Sequence, residues 1–295
     1  MSYHEPETAF AAGQAAGIFT DPAKEAFAAN YPEVAHKLQH QFHEHPLLTL
    51  ESLAQLAERL GPKFIECNDG DLPVGVETQP KQLADEAADR IRNIEGSNSW
   101  VGLREVDRDP AYKALLEEMI AEIRPVIEAT TGEVLTIQGF IFVTSPGGVT
   151  PFHFDPEHNI LFQVRGSKVF TQFPAGDPFY ASDLHHERYH AGGPAELPFR
   201  DNMRPGGTEW SLGPGEALYV PVMAPHFVTN GKEVSVSLSV TWRSEWSYAE
   251  ADARSFNHVM RRLGFNLDAP PRWPHFARAK SLAFRVMRRL GFARF

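Results

Sequence analysis

The amino-acid sequence predicts a mainly β protein, a sandwich or jelly roll rather than a parallel sheet, with helices packed around it. Three observations predict it. From about residue 134 the apolar period changes from helical to two. A series of short runs rich in Val, Ile, Phe and Thr follows, separated by Gly/Pro turns. The flanking stretches return to a helical period. The chain therefore divides into a helical N-terminal region over 1–133 packed on the core, a β core over 134–246 and a helical C-terminal extension over 247–295.

In chain order, Thr49 is placed to cap a helix on which Leu50, Leu53, Leu56, Ala57 and Leu60 share a face, and Gly61-Pro62 stops it. Asp109 caps a second helix. Pro110 takes its first position, where a missing N–H costs nothing, and Tyr112, Leu115, Leu116, Met119, Ile120 and Ile123 follow at helical spacing. Between these helices, 63–67 and 100–106 read as short strands and 68–83 as a loop rich in Gly, Pro and acids. The β runs are 135–144, 150–155, 159–164, 168–173, 208–212, 217–221 and 234–242. The turn Arg165-Gly166-Ser167 is expected to join its two neighbours as a hairpin. After 247 the heptapeptide Val-Met-Arg-Arg-Leu-Gly-Phe occurs at 259–265 and again at 286–292, as two similar helix ends rather than a solenoid repeat.

A chain of 295 residues, 42% of them apolar, buries roughly three quarters of its unfolded surface and needs no covalent staples. Its one cysteine, Cys67, cannot pair within the chain and suits a reducing compartment. There is no apolar run of about 18 residues, and the opening MSYHEPETAF lacks the basic-then-apolar pattern of a secretory signal. A cytoplasmic protein is expected. The net charge of −10 is unevenly spread: residues 251–295 carry +8 and residues 1–250 carry −18. So acidic a body argues against broad phosphate binding.

The chemistry concentrates in Thr150-Pro-Phe-His153-Phe-Asp155. Residues two apart on an extended strand point to one face, so His153 and Asp155 project together. A further ligand is offered by the Pro-His corner at His226, which follows the apolar run 217–221. Two histidines and one carboxylate on one face, with open positions opposite, make the facial triad of non-heme Fe(II) oxygenases. Lys168 opens the run after the 165–167 turn and can point inward. A lysine inside a β core is costly without an anion, so this one asks for a bound carboxylate.

The runs TPFHFDPEHNILFQVRGSKVFTQFP, GPGEALYVPVMAPH and EVSVSLSVTW together resemble the JmjC/cupin-like class of 2-oxoglutarate-dependent dioxygenases, closest to the branch containing the asparaginyl hydroxylase of hypoxia-inducible factor. The resemblance covers about 135–246 and implies a double-stranded β-helix, the cupin/JmjC-like jelly roll. It implies that His153, Asp155 and His226 bind Fe(II), that Lys168 and Thr150 hold the distal carboxylate of the co-substrate 2-oxoglutarate, and that Asn159 assists near the metal. It also implies hydroxylation, or demethylation where the hydroxylated carbon bears nitrogen. The chain departs from the pattern at Met223-Ala224-Pro225, which is expected to change the pocket wall. It departs again at Ser237, Ser239 and Thr241, where the branch places an Asn; Trp242 matches an aromatic position. The N-terminal region shows no comparable match, so a protein side chain, an RNA or a small molecule all stay open as substrate. Two rival readings are a non-catalytic cupin-like protein that binds metal or carboxylate for regulation, and a cupin isomerase or hydrolase using Zn or Mn.

Other clusters have blander readings. His36, His40, His43 and His45 sit in AHKLQHQFHEH, the first two on one helical face, and read as a solvated or packing face. His185, His186 and His190 read as part of a polar surface loop, with substrate contact at the active-site mouth, which such insertions border in the resembled family, as the alternative. Phe140, Phe142, Phe152, Phe154, Phe162, Phe170 and Phe173 read as core, and Cys67 as an inert buried thiol. In the tail, Phe276, Ala279, Leu282, Ala283, Val286, Leu290 and Phe292 form an apolar stripe beside Arg278, Lys280, Arg285, Arg288 and Arg289. A homodimer contact is the leading expectation, as C-terminal helices serve in the related hydroxylase. A basic surface for RNA or an acidic partner, and an interfacial membrane helix, remain open.

Overall fold

The computed structural model describes residues 17–70 and 86–292. The helices are α1 (Asp21–Asn30), α2 (Leu50–Leu60), α3 (Ala87–Arg92), α4 (Pro110–Thr131), α5 (Asp183–Tyr189), α6 (Glu245–Arg262) and α7 (Arg278–Arg289). The strands are β1 (His36–Gln39), β2 (Ile65–Asp69), β3 (Ser99–Leu103), β4 (Val134–Thr144), β5 (Val149–His153), β6 (His158–Arg165), β7 (Lys168–Gln172), β8 (Thr208–Leu212), β9 (Glu216–Val220), β10 (His226–Asn230) and β11 (Ser235–Ser244). They form two antiparallel sheets, one ordered β1-β9-β6-β11-β4-β3-β2 and the other β5-β10-β7-β8. This is the jelly-roll arrangement expected from the alternating runs.

The alternation along β11 explains how such a core holds a cavity. Val236, Leu238, Val240 and Trp242 pack with α1, α2 and α4 in the main apolar cluster. Ser237, Ser239 and Thr241 therefore face the opposite way, into the space between the sheets. Small polar residues there leave room that Leu or Phe would fill. On the α-helical side the caps hold as read: the Thr49 hydroxyl accepts from Ser52 N at 3.2 Å, and the Asp109 carboxylate accepts from Ala111 N at 3.0 Å.

Four expectations need correction. The run 159–164 and the run 168–173 do not form a hairpin, because β6 lies in the seven-stranded sheet and β7 in the four-stranded one. The chain turns the sandwich corner at Gly166 (φ +67°), where a Cβ would fall 2.3 Å from Val234 O. Second, His36 and His40 do not share a helix. His36–Gln39 is a strand with alternating burial, capping the edge of the large sheet beside β9. Third, His185 and His186 belong to α5 and His190 is its C-cap, so this is no plain loop. His186 is buried and stacked on Phe154 at 4.8 Å, and burial pushes its ring down to about 3, which keeps it neutral. Fourth, the mainly helical region 1–133 gives more strand to the large sheet than expected: the short runs read at 63–67 and 100–106 are its β2 and β3, and β1 is a further strand beyond those expected. Most of the expected 68–83 loop lies outside the described residues.

Candidate metal centre

Strand β5 places the first ligand by means of an irregularity. Against β10, His153 pairs with His226 and Thr150 with Val228, so three steps on one strand match two on the other. That bulge, at a proline with no ladder N–H to lose, turns both Thr150 and His153 into the sandwich while Phe152 packs outward with Phe173. Asp155 lies just past the strand end, not on it. Its carbonyl accepts from Met223 N at 2.8 Å. Met223 adopts φ +61°, a left-handed backbone uncommon for a residue with a side chain, and this tight turn delivers His226 to the start of β10.

His153, Asp155 and His226 are brought together with ligand atoms all within 4.8 Å, the one such group among the described residues. Nε2 of His153 lies 3.8 Å from one Asp155 oxygen and Nε2 of His226 lies 3.7 Å from the other. Both separations are too long for hydrogen bonds and shorter than twice a metal–ligand bond of about 2.1 Å. The other ring nitrogens are engaged: Nδ1 of His153 donates to Pro151 O at 2.8 Å, and Nδ1 of His226 to Ala224 O at 2.9 Å. Backbone carbonyls thus fix both tautomers so that each Nε2 lone pair faces Asp155. Burial, helped by the neighbouring His153 ring, pushes His226 down to about 4 against the pull of Asp155, so it stays neutral and ready to ligate. The residues fit a divalent ion of the kind bound by two imidazoles and a carboxylate.

Beyond the triad a chamber of about 120 Å³ runs between the sheets. Phe140, Phe142, Leu161, Phe170 and Val228 wall it, with Thr144, Thr150, Asn159, Lys168, Asn230, Ser239 and Thr241 as its polar groups. Phe140 and Phe142 are therefore half-buried walls rather than core, a correction to their reading. Lys168 is 6% exposed and donates to Ser237 Oγ at 2.7 Å. Burial alone pushes its ammonium down to about 7. Thr150 Oγ1 accepts from Trp100 Nε1 at 3.3 Å, and Asn159 Nδ2 donates to Asp155 Oδ2 at 3.4 Å. Met223 and Ala224 do not line the chamber. They are buried in apolar clusters behind it, so the departure there changes packing and not the pocket wall.

The chamber opens into a wider mouth of about 430 Å³. Among the described residues its rim carries Glu66, Glu105, Glu157 and Glu196 with one cation, Arg104, which is paired to Glu66. Trp100, Phe140 and Tyr189 add aromatic surface. Burial raises Glu157 to about 7, opposed by Arg243 at 3.8 Å. Sequence reasoning missed most of this rim, because Glu66, Trp100, Arg104 and Glu105 reach it from β2, β3 and the residues after β3. Asn230 was also missed, although it stands at i+4 from His226 on one strand face, a spacing readable once β10 is seen.

The family model of the cupin-like domain matches residues 76–248. Lysine-specific demethylase 8 of Danio rerio is 33% identical over 104 residues, covering 33% of this chain and 25% of that protein. Lysine-specific demethylase JMJ30 of Arabidopsis thaliana is 32% identical over 115 residues, covering 37% of this chain and 25% of that protein. The matched stretch is thus about a quarter of the length of these curated relatives. Among solved structures, the ribosomal oxygenase YcfD from Escherichia coli in complex with cobalt and 2-oxoglutarate superposes with a TM-score of 0.46 at 17% identity, covering 91% of this chain and 66% of that one.

Proposed function

We propose, for a chain that belongs to the cupin-like domain family, the activity of an Fe(II)- and 2-oxoglutarate-dependent dioxygenase. One observation carries it: two Nε2 atoms with fixed tautomers converge on Asp155, at the open end of a chamber that holds the buried ammonium of Lys168. When bound, Fe(II) supplies oxygen activation coupled to oxidative decarboxylation of the 2-oxo acid to succinate. His153, Asp155 and His226 hold the ion on one side and leave the chamber side free. Lys168 and Thr150 hold the distal carboxylate, and the indole N–H on Thr150 Oγ1 turns the hydroxyl proton toward that ligand. Phe170, stacked on His226 at 4.6 Å, and Leu161 exclude water from the stem of the co-substrate.

The substrate enters from the mouth, where, among the described residues, four glutamates face one paired arginine beside aromatic rings. This charge favours a cationic group, and the relatives named lysine-specific demethylases support a basic protein side chain ahead of RNA or an anionic metabolite. The finer placement near the asparaginyl hydroxylase of hypoxia-inducible factor rests on the motif set alone. The C-terminal helices are the proposed homodimer surface: Leu263, Phe265, Leu282, Val286, Leu290 and Phe292 are more than half exposed there, or nearly so for Val286 at 47%. No helix of the described residues is long and apolar enough to cross a membrane. The buried free thiol of Cys67 supports a reducing compartment, the cytoplasm.

The test is anaerobic addition of Fe(II) and 2-oxoglutarate. A visible absorption band should form, and succinate should appear on admitting oxygen, both lost in His153→Ala. Metal binding with neither signal in the wild-type protein would favour the regulatory reading. Turnover without oxygen or 2-oxoglutarate would favour an isomerase or hydrolase.

A further inference from the structure

Strand β10 presents His226, Val228 and Asn230 to the chamber, one behind the other. In the ladder with β7, Asn230 lies directly opposite Lys168. Its backbone is fixed, with N–H donating to Gly148 O at 2.9 Å, and the residue is 7% exposed. Yet its amide oxygen has no hydrogen-bond partner among the described residues. A buried amide atom left unmatched costs stability, so its retention at a cavity wall points to a ligand. The Lys168 ammonium beside it has three protons and one acceptor, Ser237 Oγ.

We infer that Asn230 is a binding residue for the distal carboxylate of the 2-oxo acid, acting with Lys168 at the end of the chamber away from the metal; this rests on the dioxygenase reading above. An asparagine amide turns over about its Cβ–Cγ bond without changing shape, so the side chain that shows an unmatched oxygen also presents NH2 to an incoming anion. A carboxylate has about four acceptor sites. Lys168, Thr150 and Asn230 supply donors from three adjacent strands of one sheet, β7, β5 and β10, so they meet the anion side by side on one wall of the chamber. Val228, one step nearer the metal on the same strand face, offers no donor, so on β10 Asn230 is the residue that can meet the carboxylate, beside Thr150 and Lys168 on the flanking strands. The residue thereby selects 2-oxo acids that end in an anion over those that end in a methyl group.

The experiment is calorimetric titration of the Mn(II)-loaded protein with 2-oxoglutarate and with 2-oxovalerate, which has the same five carbons and no distal carboxylate. Asn230→Leu should weaken 2-oxoglutarate tenfold or more, the size expected for a hydrogen bond to a charged group, and leave 2-oxovalerate within twofold. Asn230→Asp sets a carboxylate against the ligand's own and should weaken 2-oxoglutarate further, with a smaller loss for the amide-ended analogue 2-oxoglutaramate. An unchanged Mn(II) affinity and an unfolding midpoint no lower than that of the wild type show that the variants are folded. If the variants bind 2-oxoglutarate within twofold of the wild type, or lose both 2-oxo acids equally, the role of Asn230 is overturned while the dioxygenase reading stands. A wild-type protein that binds neither ligand with Mn(II) present overturns both.

Discussion

Replacing Lys168 by Met keeps the volume of the stem and removes the charge, and the structure gives this change opposite signs with and without ligand. Lys168 is 6% exposed, and burial lowers its ammonium from 10.5 to about 7. At about 1.4 kcal/mol per pH unit, holding that charge in the ligand-free protein costs on the order of 5 kcal/mol as an upper bound. The unfolded chain keeps the proton up to 10.5, whereas the folded chain releases it near 7. The unfolded state therefore binds more protons between these values, and stability rises with pH across that window. The methionine side chain does not titrate and removes the slope, so Lys168→Met should be more stable than the wild type at pH 6.5, with the gap closing toward pH 10. Ser237 loses its donor in the variant, at about 1 kcal/mol, which is too little to reverse the sign. With 2-oxoglutarate the order inverts: losing a hydrogen bond to a charged group, about 1.5–3 kcal/mol, should weaken binding roughly 10- to 150-fold. Urea unfolding at pH 6.5 and 9.5, with calorimetric titration of the Mn(II)-loaded protein, measures both arms. A variant less stable than the wild type at pH 6.5, or one that binds 2-oxoglutarate within twofold, would refute the reasoning.

Three further outcomes follow from the same geometry. Mn(II) at about 100 times its dissociation constant should stabilise the wild type by about 2.7 kcal/mol, raising the unfolding midpoint by several degrees; EDTA should reverse this, and His226→Ala should show no shift, as scanning fluorimetry would record. Glu157→Gln removes a buried carboxylate from the mouth and should lower kcat/KM at least severalfold for peptides carrying lysine or arginine while leaving 2-oxoglutarate affinity unchanged; an equal effect on a neutral peptide would show that charge is not what Glu157 reads. The double change Leu282→Glu and Leu290→Glu, at side chains 65% and 67% exposed, should convert a dimer to a monomer by light scattering with the unfolding midpoint little altered; a wild type that is already monomeric would remove the dimer proposal.

The candidate site of this chain is legible in its sequence because the residues that form it are close in sequence or sit at a fixed period. His153 and Asp155 are two apart, Lys168 begins a strand, and Ser237, Ser239 and Thr241 alternate along one face. Even so, the route differs from simple alternation. A bulge at Pro151 brings Thr150 and His153 to one face, and Asp155 is held past the strand end by Met223 N. Sheet assignment is not legible, since a tight turn at Gly166 serves a hairpin and a sandwich corner equally well in sequence, and only the pairing of β7 with β10 decides. Burial of His36, His40 and His186 is also hidden, because imidazoles score as polar until their rings find apolar faces such as Phe27, Phe162 and Phe154. The rim is hidden for a different reason: Glu66 and Arg104 lie 38 residues apart and reach the mouth only because β2 and β3 extend the large sheet past β4. On the proposed dioxygenase reading, co-substrate binding and substrate recognition are thus written in different parts of the chain. Substitutions on β2 and β3 should then change which cation is accepted while leaving unchanged the affinity for 2-oxoglutarate proposed for β5, β7 and β10, as calorimetric titration would measure.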